Sequence, residues 1–336
     1  MRAGRIAAAA TALLLLAGAA GGCDGDEAGP RRLVIAGGGA GDVYSALARA
    51  LADAARAELT DDVRVLDTEG SIDNLRAVAD GEADVGFATV DAAFLAAHGD
   101  DPFSNALPVV ALGRLYDDYL HIVVRADSEI GQVGDLSGRP ISTGPEGSGT
   151  RIITSRVTEA SGHHISRFVD RRLTLAESTE ALAAREIDGF FVTGGPPMPA
   201  LVDLSKRTPF RLLTLRDEIE ALQDQHGEIY QARTIAAART YEIPEDVEQP
   251  EPVDTLGVTN VLVVRRTLPE ETAYRLTELL FAAKPRLVAA YEEARRLDHR
   301  SALATYPVQL HPGAASYYRD HKVMALPAPP VRPAPG

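Results

Sequence analysis

The sequence predicts an α/β protein of two lobes, each a parallel or mixed sheet flanked by helices, with two long strands serving as the hinge between them. Three observations predict it. Short β-branched segments alternate with helix-period segments from Leu33 onward, the alternation begins a second time near Pro140, and two long apolar strands, Leu120–Arg125 and Leu256–Val264, flank that second unit. A β-α-β-α-β order calls for parallel strands with helices on both faces. A chain that leaves one lobe, builds another and returns needs a pair of connecting strands like these.

The first residues read as a targeting segment. Arg2 and Arg5 precede an apolar run, Ile6 to Ala20, that ends in small residues directly before Cys23. The run is too short to span a bilayer comfortably. Cys23 is the only cysteine and so has no partner within the chain. Its position predicts a signal peptide over 1–22, lipidation at Cys23 and a polar tether over 23–32. The protein is then expected at the outer face of the cytoplasmic membrane as a lipoprotein, or periplasmic or secreted if Cys23 is not lipidated.

In the body, Leu33–Ala36 reads as a strand and Val43–Leu59 as a helix with Leu47, Ala50, Leu51, Ala54 and Ala55 at helical spacing. Val63–Leu66 is the next strand, Ser71–Asp80 a helix with Ser71 as its N-cap, and Asp84–Ala88 a third strand. The second unit repeats this grammar: strand Pro140–Ser142, helices Gly149–Ala160 and Glu177–Arg185, strand Ile187–Val192 and helix Met198–Ser205. Amphipathic helices over Glu270–Ala283 and Pro285–Asp298 are expected to return to the first lobe. The lobes are therefore 33–124 plus 257–322 and 125–256, and a Pro/Ala-rich tail, 323–336, is expected to be disordered.

Composition removes several function classes. The formal charge of −14, with no basic stripe, argues against a nucleic-acid partner. The absence of Trp argues against a sugar site built on indole platforms. The Gly-x-Ser-x-Gly and His-Glu-x-x-His patterns are missing, and His163-His164 fall in a turn where solvated histidines are the expectation. Asp61-Asp62 and Asp117-Asp118 read as exposed turns. An enzyme is not expected, nor a metal or other cofactor.

Four loops carry the functional signal. The first is Ala36-Gly37-Gly38-Gly39-Ala40-Gly41-Asp42 between a strand and a helix, where glycines let backbone approach a ligand and the helix start favours an anion. Although Asp67 ends the second strand as a dinucleotide fingerprint requires, Asp42 stands where the third glycine belongs and would repel pyrophosphate, which argues against such a site. The second, Thr68-Glu69-Gly70-Ser71-Ile72-Asp73-Asn74-Leu75, leaves the same sheet edge. In the second unit, Thr143-Gly144-Pro145-Glu146-Gly147-Ser148-Gly149-Thr150 opens a helix with two hydroxyls beside open amides, without the lysine of a P-loop. Phe190-Phe191-Val192-Thr193-Gly194-Gly195 ends a strand at that edge.

These stretches, together with Gly81-Glu82-Ala83-Asp84-Val85-Gly86-Phe87, Asp135-Leu136-Ser137-Gly138, Ile187-Asp188-Gly189-Phe190-Phe191, Thr255-Leu256-Gly257-Val258 and His311-Pro312-Gly313-Ala314, resemble the TAXI-type solute-binding subunits of TRAP transporters through nearly the whole mature chain. The resemblance implies a periplasmic-binding-protein fold, type II-like, that closes over a small anionic ligand, a carboxylate or amino acid, and delivers it to membrane permease subunits. It implies ligand contacts at Gly39, Gly41, Tyr44, Thr68, Gly70, Ser71, Asn74 and Thr89 in the first lobe, and at Gly144, Ser148, Gly149, Thr150, Phe191 and Gly194 in the second. Asp42, Ser45 and Thr89-Val90 depart from the family pattern, so a different ligand is expected. A lipoprotein of the same fold that signals to a membrane kinase is the rival expectation.

Overall fold

The computed structural model describes residues 32–39, 41–249 and 251–323. The signal peptide, Cys23, all but the last residue of the tether and all but the first residue of the tail lie outside the described residues.

Three parallel strands start the chain: β1 (Leu33–Ala36), β2 (Val63–Leu66) and β3 (Val85–Thr89). They alternate with helices α1 (Val43–Glu58), α2 (Ser71–Asp80) and α3 (Val90–His98). Helix α1 forms where the apolar spacing places it, because Leu47, Leu51 and Ala55 all point into the core while Arg49, Asp53 and Arg56 stay in water. Each such leucine contributes roughly 1.5–3 kcal/mol by leaving water.

The chain then enters β4 (Val109–Arg125), and a second α/β stretch follows: β5 (Pro140–Ser142), α4 (Gly149–Ala160), β6 (Val169–Arg171), α5 (Leu175–Ala183), β7 (Gly189–Gly194), α6 (Pro199–Ser205), β8 (Phe210–Leu212) and α7 (Asp217–His226). After β9 (Tyr230–Ile235) and the short α8 (Ala237–Thr240), strand β10 (Val253–Arg265) leads back to α9 (Glu270–Ala282), α10 (Lys284–Ala290) and α11 (Pro312–Asp320). The helix expected over Pro285–Asp298 is broken: Tyr291 takes an extended backbone, φ −155°, and a 3-10 turn follows.

Strands β4 and β10 decide the architecture. The hydrogen-bonded order is β2-β1-β3-β10-β4-β7-β5-β6, so the two expected sheets are joined into one by these long strands. Toward one end, Val109–Arg114 of β4 pair with Val261–Arg265 of β10. Toward the other, Tyr119–Val124 pair with β7 and Val253–Val258 pair with β9. At the crossing, the register slips between Thr259 and Val261, which leaves Asn260 opposite a bulge in β4.

The Asp117-Asp118 pair sits at that crossing, not in an exposed turn. Both side chains are buried, Asp118 with 6% of its surface exposed. Successive strand residues face opposite sides, so two adjacent acids in a buried strand meet different surroundings. Asp117 is held by Arg114 and Arg233 at 2.7 and 2.9 Å. Burial works upward on its carboxyl, but those cations and Thr259 outweigh it and keep the group below its usual range.

Candidate functional site

The halves of the sheet enclose a pocket of about 280 Å³, reached by the loops at the carboxyl ends of β1, β2, β5 and β7. From the first half come the glycine loop and first turn of α1, through Gly41, Asp42 and Tyr44, and the turn into α2, through Glu69, Gly70 and Ser71. The first turn of α4 supplies Ser148, Gly149 and Thr150, and the end of β7 supplies Phe191 and Gly194. Thr89 and Gly144 complete the expected contacts found on its wall.

Gly39, Thr68 and Asn74 do not reach the wall. Asn74 is fully buried and its Nδ2 donates to the carbonyls of Gly37 and Phe87 at 2.6 and 2.8 Å. Thr68 Oγ lies 2.8 Å from the Gly37 carbonyl and 2.7 Å from Asn74 Oδ1. These two side chains fasten the glycine loop to β3 from behind. Gly39 donates its N–H to Asp42 Oδ2 at 3.1 Å and shapes the turn.

Ser71 is the first residue of its helix and does not cap it; Gly70 holds the cap position at φ 133°. The Ser71 hydroxyl instead accepts the N–H of Thr89 at 3.1 Å. The work expected of an N-cap is done from the other half. The Gly147 carbonyl accepts from Ile72 and Asp73, at 2.9 and 3.4 Å, so the α2 amides are occupied. Helix α4 keeps its own cap, Ser148 Oγ accepting from the Thr150 N–H at 3.2 Å, and the Thr150 and Thr193 hydroxyls are hydrogen-bonded to each other at 3.0 Å.

Tyr291, which the sequence reading passed over, and Asp118, which it placed in an exposed turn, also stand on the wall. Tyr291, freed by the helix break, accepts the Gly195 N–H at 2.6 Å and sets its ring edge-on to Tyr116 at 5.1 Å. Asp118 lies at the floor, and its Oδ1 has no hydrogen-bond partner. Burial pushes its carboxyl up to about 7; the Asn260 amide opposes this without completing a hydrogen bond, and Asp117 and Glu293 add to it. Tyr116 OH and Asn260 Nδ2 are likewise buried without a partner, while Tyr44 OH donates to Asn260 Oδ1. One signal for Asp118 was available: two acids inside a long β-branched run cannot both face water if the strand is central.

The wall carries Asp42, Glu69 and Asp118, and no Lys, Arg or His among the described residues. What this wall offers a negative group is the first turns of α1 and α4 and a set of hydroxyls, not a cation. His163 and His164 are exposed on the turn after α4 and lie outside the pocket wall, engaged with Ser161 and Ser166.

Residues 35–321 match the NMT1-like family. Among solved structures, a periplasmic transporter superposes with a TM-score of 0.50 at 13% identity, over 87% of this chain and 92% of that one. The periplasmic aliphatic sulphonate binding protein SsuA from Escherichia coli gives 0.48 at 15% identity, over 87% and 84%. The MOPS-bound alkanesulfonate-binding protein SsuA from Xanthomonas axonopodis pv. citri gives 0.45 at 19%, over 88% and 92%. At these identities the likeness speaks to the fold, and the transporter match carries it: the chain has the α/β periplasmic-binding-protein fold that the sequence predicts.

Proposed function

The chain belongs to the NMT1-like family, and from that premise we propose that it is an extracytoplasmic solute-binding protein. It captures a small ligand with an acidic group and passes it to a membrane transporter. One observation carries the proposal: a pocket of about 280 Å³ lined from both halves of a sheet that only β4 and β10 bridge at its centre. Such halves, 33–124 plus 257–322 and 125–256, act as lobes, and a ligand that touches both favours their closure.

The acidic end of the ligand rests at the start of α4, on Ser148, Gly149 and Thr150, with Tyr44, Gly70, Ser71 and Thr89 opposite. With no cation in the wall, a carboxylate or amino acid of moderate size suits the site better than a multiply charged anion. Export, a lipid on Cys23, and delivery to TRAP-type permease subunits belong to the same reading, supported by the motifs that resemble the TAXI family. The exposure of the histidine pair weighs against catalysis at that point of the fold.

Calorimetry with a panel of small carboxylates, amino acids and sulfonates tests the reading. A hit at micromolar affinity or better is expected, and the Ser148→Ala, Thr150→Ala double variant weakens it by about tenfold or more, as loss of two hydroxyl contacts requires. Unchanged binding by the double variant refutes the site. Binding of the loaded protein to TRAP permease subunits tests the partner; recruitment by an ABC-type permease instead overturns that assignment alone.

A further inference from the structure

We infer that Asp118 determines the pocket's specificity and that its carboxylate receives an ammonium group of the captured solute. The inference rests on the solute-binding reading above and adds the chemistry of the ligand's second end.

Of the three carboxylates on the wall, two are already engaged. Asp42 Oδ2 accepts the Gly39 N–H at 3.1 Å, and Glu69 Oε2 accepts the Gly147 N–H at 2.8 Å. Asp118 Oδ1 has no partner although only 6% of the residue is exposed. A buried carboxylate without a counter-charge is among the costliest groups a protein can hold, and among the described residues the wall supplies no Lys, Arg or His to meet it. A ligand cation is the remaining source.

The surroundings suit a primary amine. Tyr116 OH, two residues earlier on the same strand, is also buried and unpartnered, although Tyr116 is not itself a wall residue, so among the described residues no protein cation or donor meets the carboxylate from that side. The site lies where β4 changes partners: Asp118 is opposite Val258 of β10, and Tyr119 beside it is opposite both Gly257 of β10 and Gly194 of β7. A group bound there is placed at the hinge, and one solute then spans from Asp118 to the start of α4.

Burial raises the Asp118 carboxyl toward neutrality, and the charged or titratable groups around it are Asp117, Glu293, Tyr44, Tyr116 and Tyr291. None of these is a cation. Arrival of an ammonium therefore ionises Asp118 and releases a proton from it at pH values near or below 7.

The experiment measures binding of matched pairs that differ by one amine: L-glutamate and glutarate, L-aspartate and succinate, L-leucine and 4-methylpentanoate. The amine-bearing member of the pair that fits is expected to bind about a hundredfold tighter, the scale of a desolvated charge pair. Asp118→Asn, of the same shape, is expected to bring the ratio near one. Wild-type calorimetry in buffers of differing ionisation enthalpy, which needs no variant, is expected to show near one proton released at pH 6 for the amine and none for its partner. Equal affinities within a pair, or a preference that survives Asp118→Asn, overturns the Asp118 assignment and leaves solute capture standing. Tighter binding of the deaminated acid at low pH also overturns it, since a protonated Asp118 would then be donating to the ligand. Binding of no member, with no hit among the wider carboxylates and sulfonates, overturns the solute-binding reading itself.

Discussion

The carbonyl of Gly147, from the second half of the sheet, accepts the amide of Ile72, in the first turn of a first-half helix, at 2.9 Å. The same residue donates its N–H to Glu69 Oε2 at 2.8 Å. One residue thus supplies the cap that α2 lacks in its own sequence and gives its own N–H to a first-half carboxylate, so helix capping and contact between the halves are coupled at Gly147. On the far side of the pocket, Gly195 and Tyr291 make the matching contact.

Glu69→Ala removes one side of this clasp. A partly exposed hydrogen bond to a charged group is worth about 1 kcal/mol, so ligand affinity falls roughly fivefold while thermal stability of the unliganded protein is little changed. Titration calorimetry and a melting curve measure the two separately. A loss of stability without loss of affinity would place Glu69 in the fold and not in closure.

Gly149→Ala acts by steric exclusion. Gly149 does not use a left-handed backbone, so helix α4 itself accepts alanine. The added Cβ would lie 2.7 Å from Ser71 Oγ and 2.8 Å from Thr89 Oγ, both buried in the opposite half. The variant is expected to fold, to bind ligand at least about tenfold more weakly, and to show no ligand-induced decrease in radius of gyration by small-angle scattering. Normal compaction on ligand addition contradicts the seam described here.

Asp118 gives stability a pH dependence of defined sign. Its folded value, about 7, is above the ordinary 3.8, so the folded state holds a proton that the unfolded chain has released between those values. Folding stability therefore declines as pH rises from about 4 to about 7, by a few kcal/mol at most. Asp118→Asn cannot lose that proton. Its melting temperature relative to wild type is expected to be higher at pH 8 than at pH 4, and a difference independent of pH would remove Asp118 from the account.

His121 supplies the opposite slope. Its Nδ1 lies 2.9 Å from the Tyr119 carbonyl and so carries the proton, which leaves Nε2 to accept from Tyr241 OH at 2.7 Å. Burial lowers its value to about 4, against the Tyr119 carbonyl's upward pull, so stability is lost as pH falls from about 6.5 toward 4. Tyr241→Phe leaves a buried nitrogen unpaired and is expected to cost about 1–3 kcal/mol at pH 7, read from denaturant midpoints. The cost shrinks toward pH 4 if protonation has already broken the pair.

Periodicity along the chain determined much of this protein. The apolar stripe of Leu47, Leu51 and Ala55 set α1, the repeat of strand and helix after Pro140 set the second half, and the glycine turns at strand ends fixed which edge of the sheet would hold the pocket. These are local properties, because a helix or strand face is written at spacings of two to four residues. Only the tertiary structure decided what each loop side chain does there. Thr68 and Asn74 turned back to hold Gly37, Ser71 gave up the α2 cap to Gly147, and the Tyr291 backbone left its helix to meet Gly195. Asp118 became a floor residue because β4 runs unbroken through both halves and is covered on each face. Partners from about thirty to nearly a hundred residues apart settle these outcomes, from Thr68 and Gly37 to Gly195 and Tyr291, and no spacing along the chain records them.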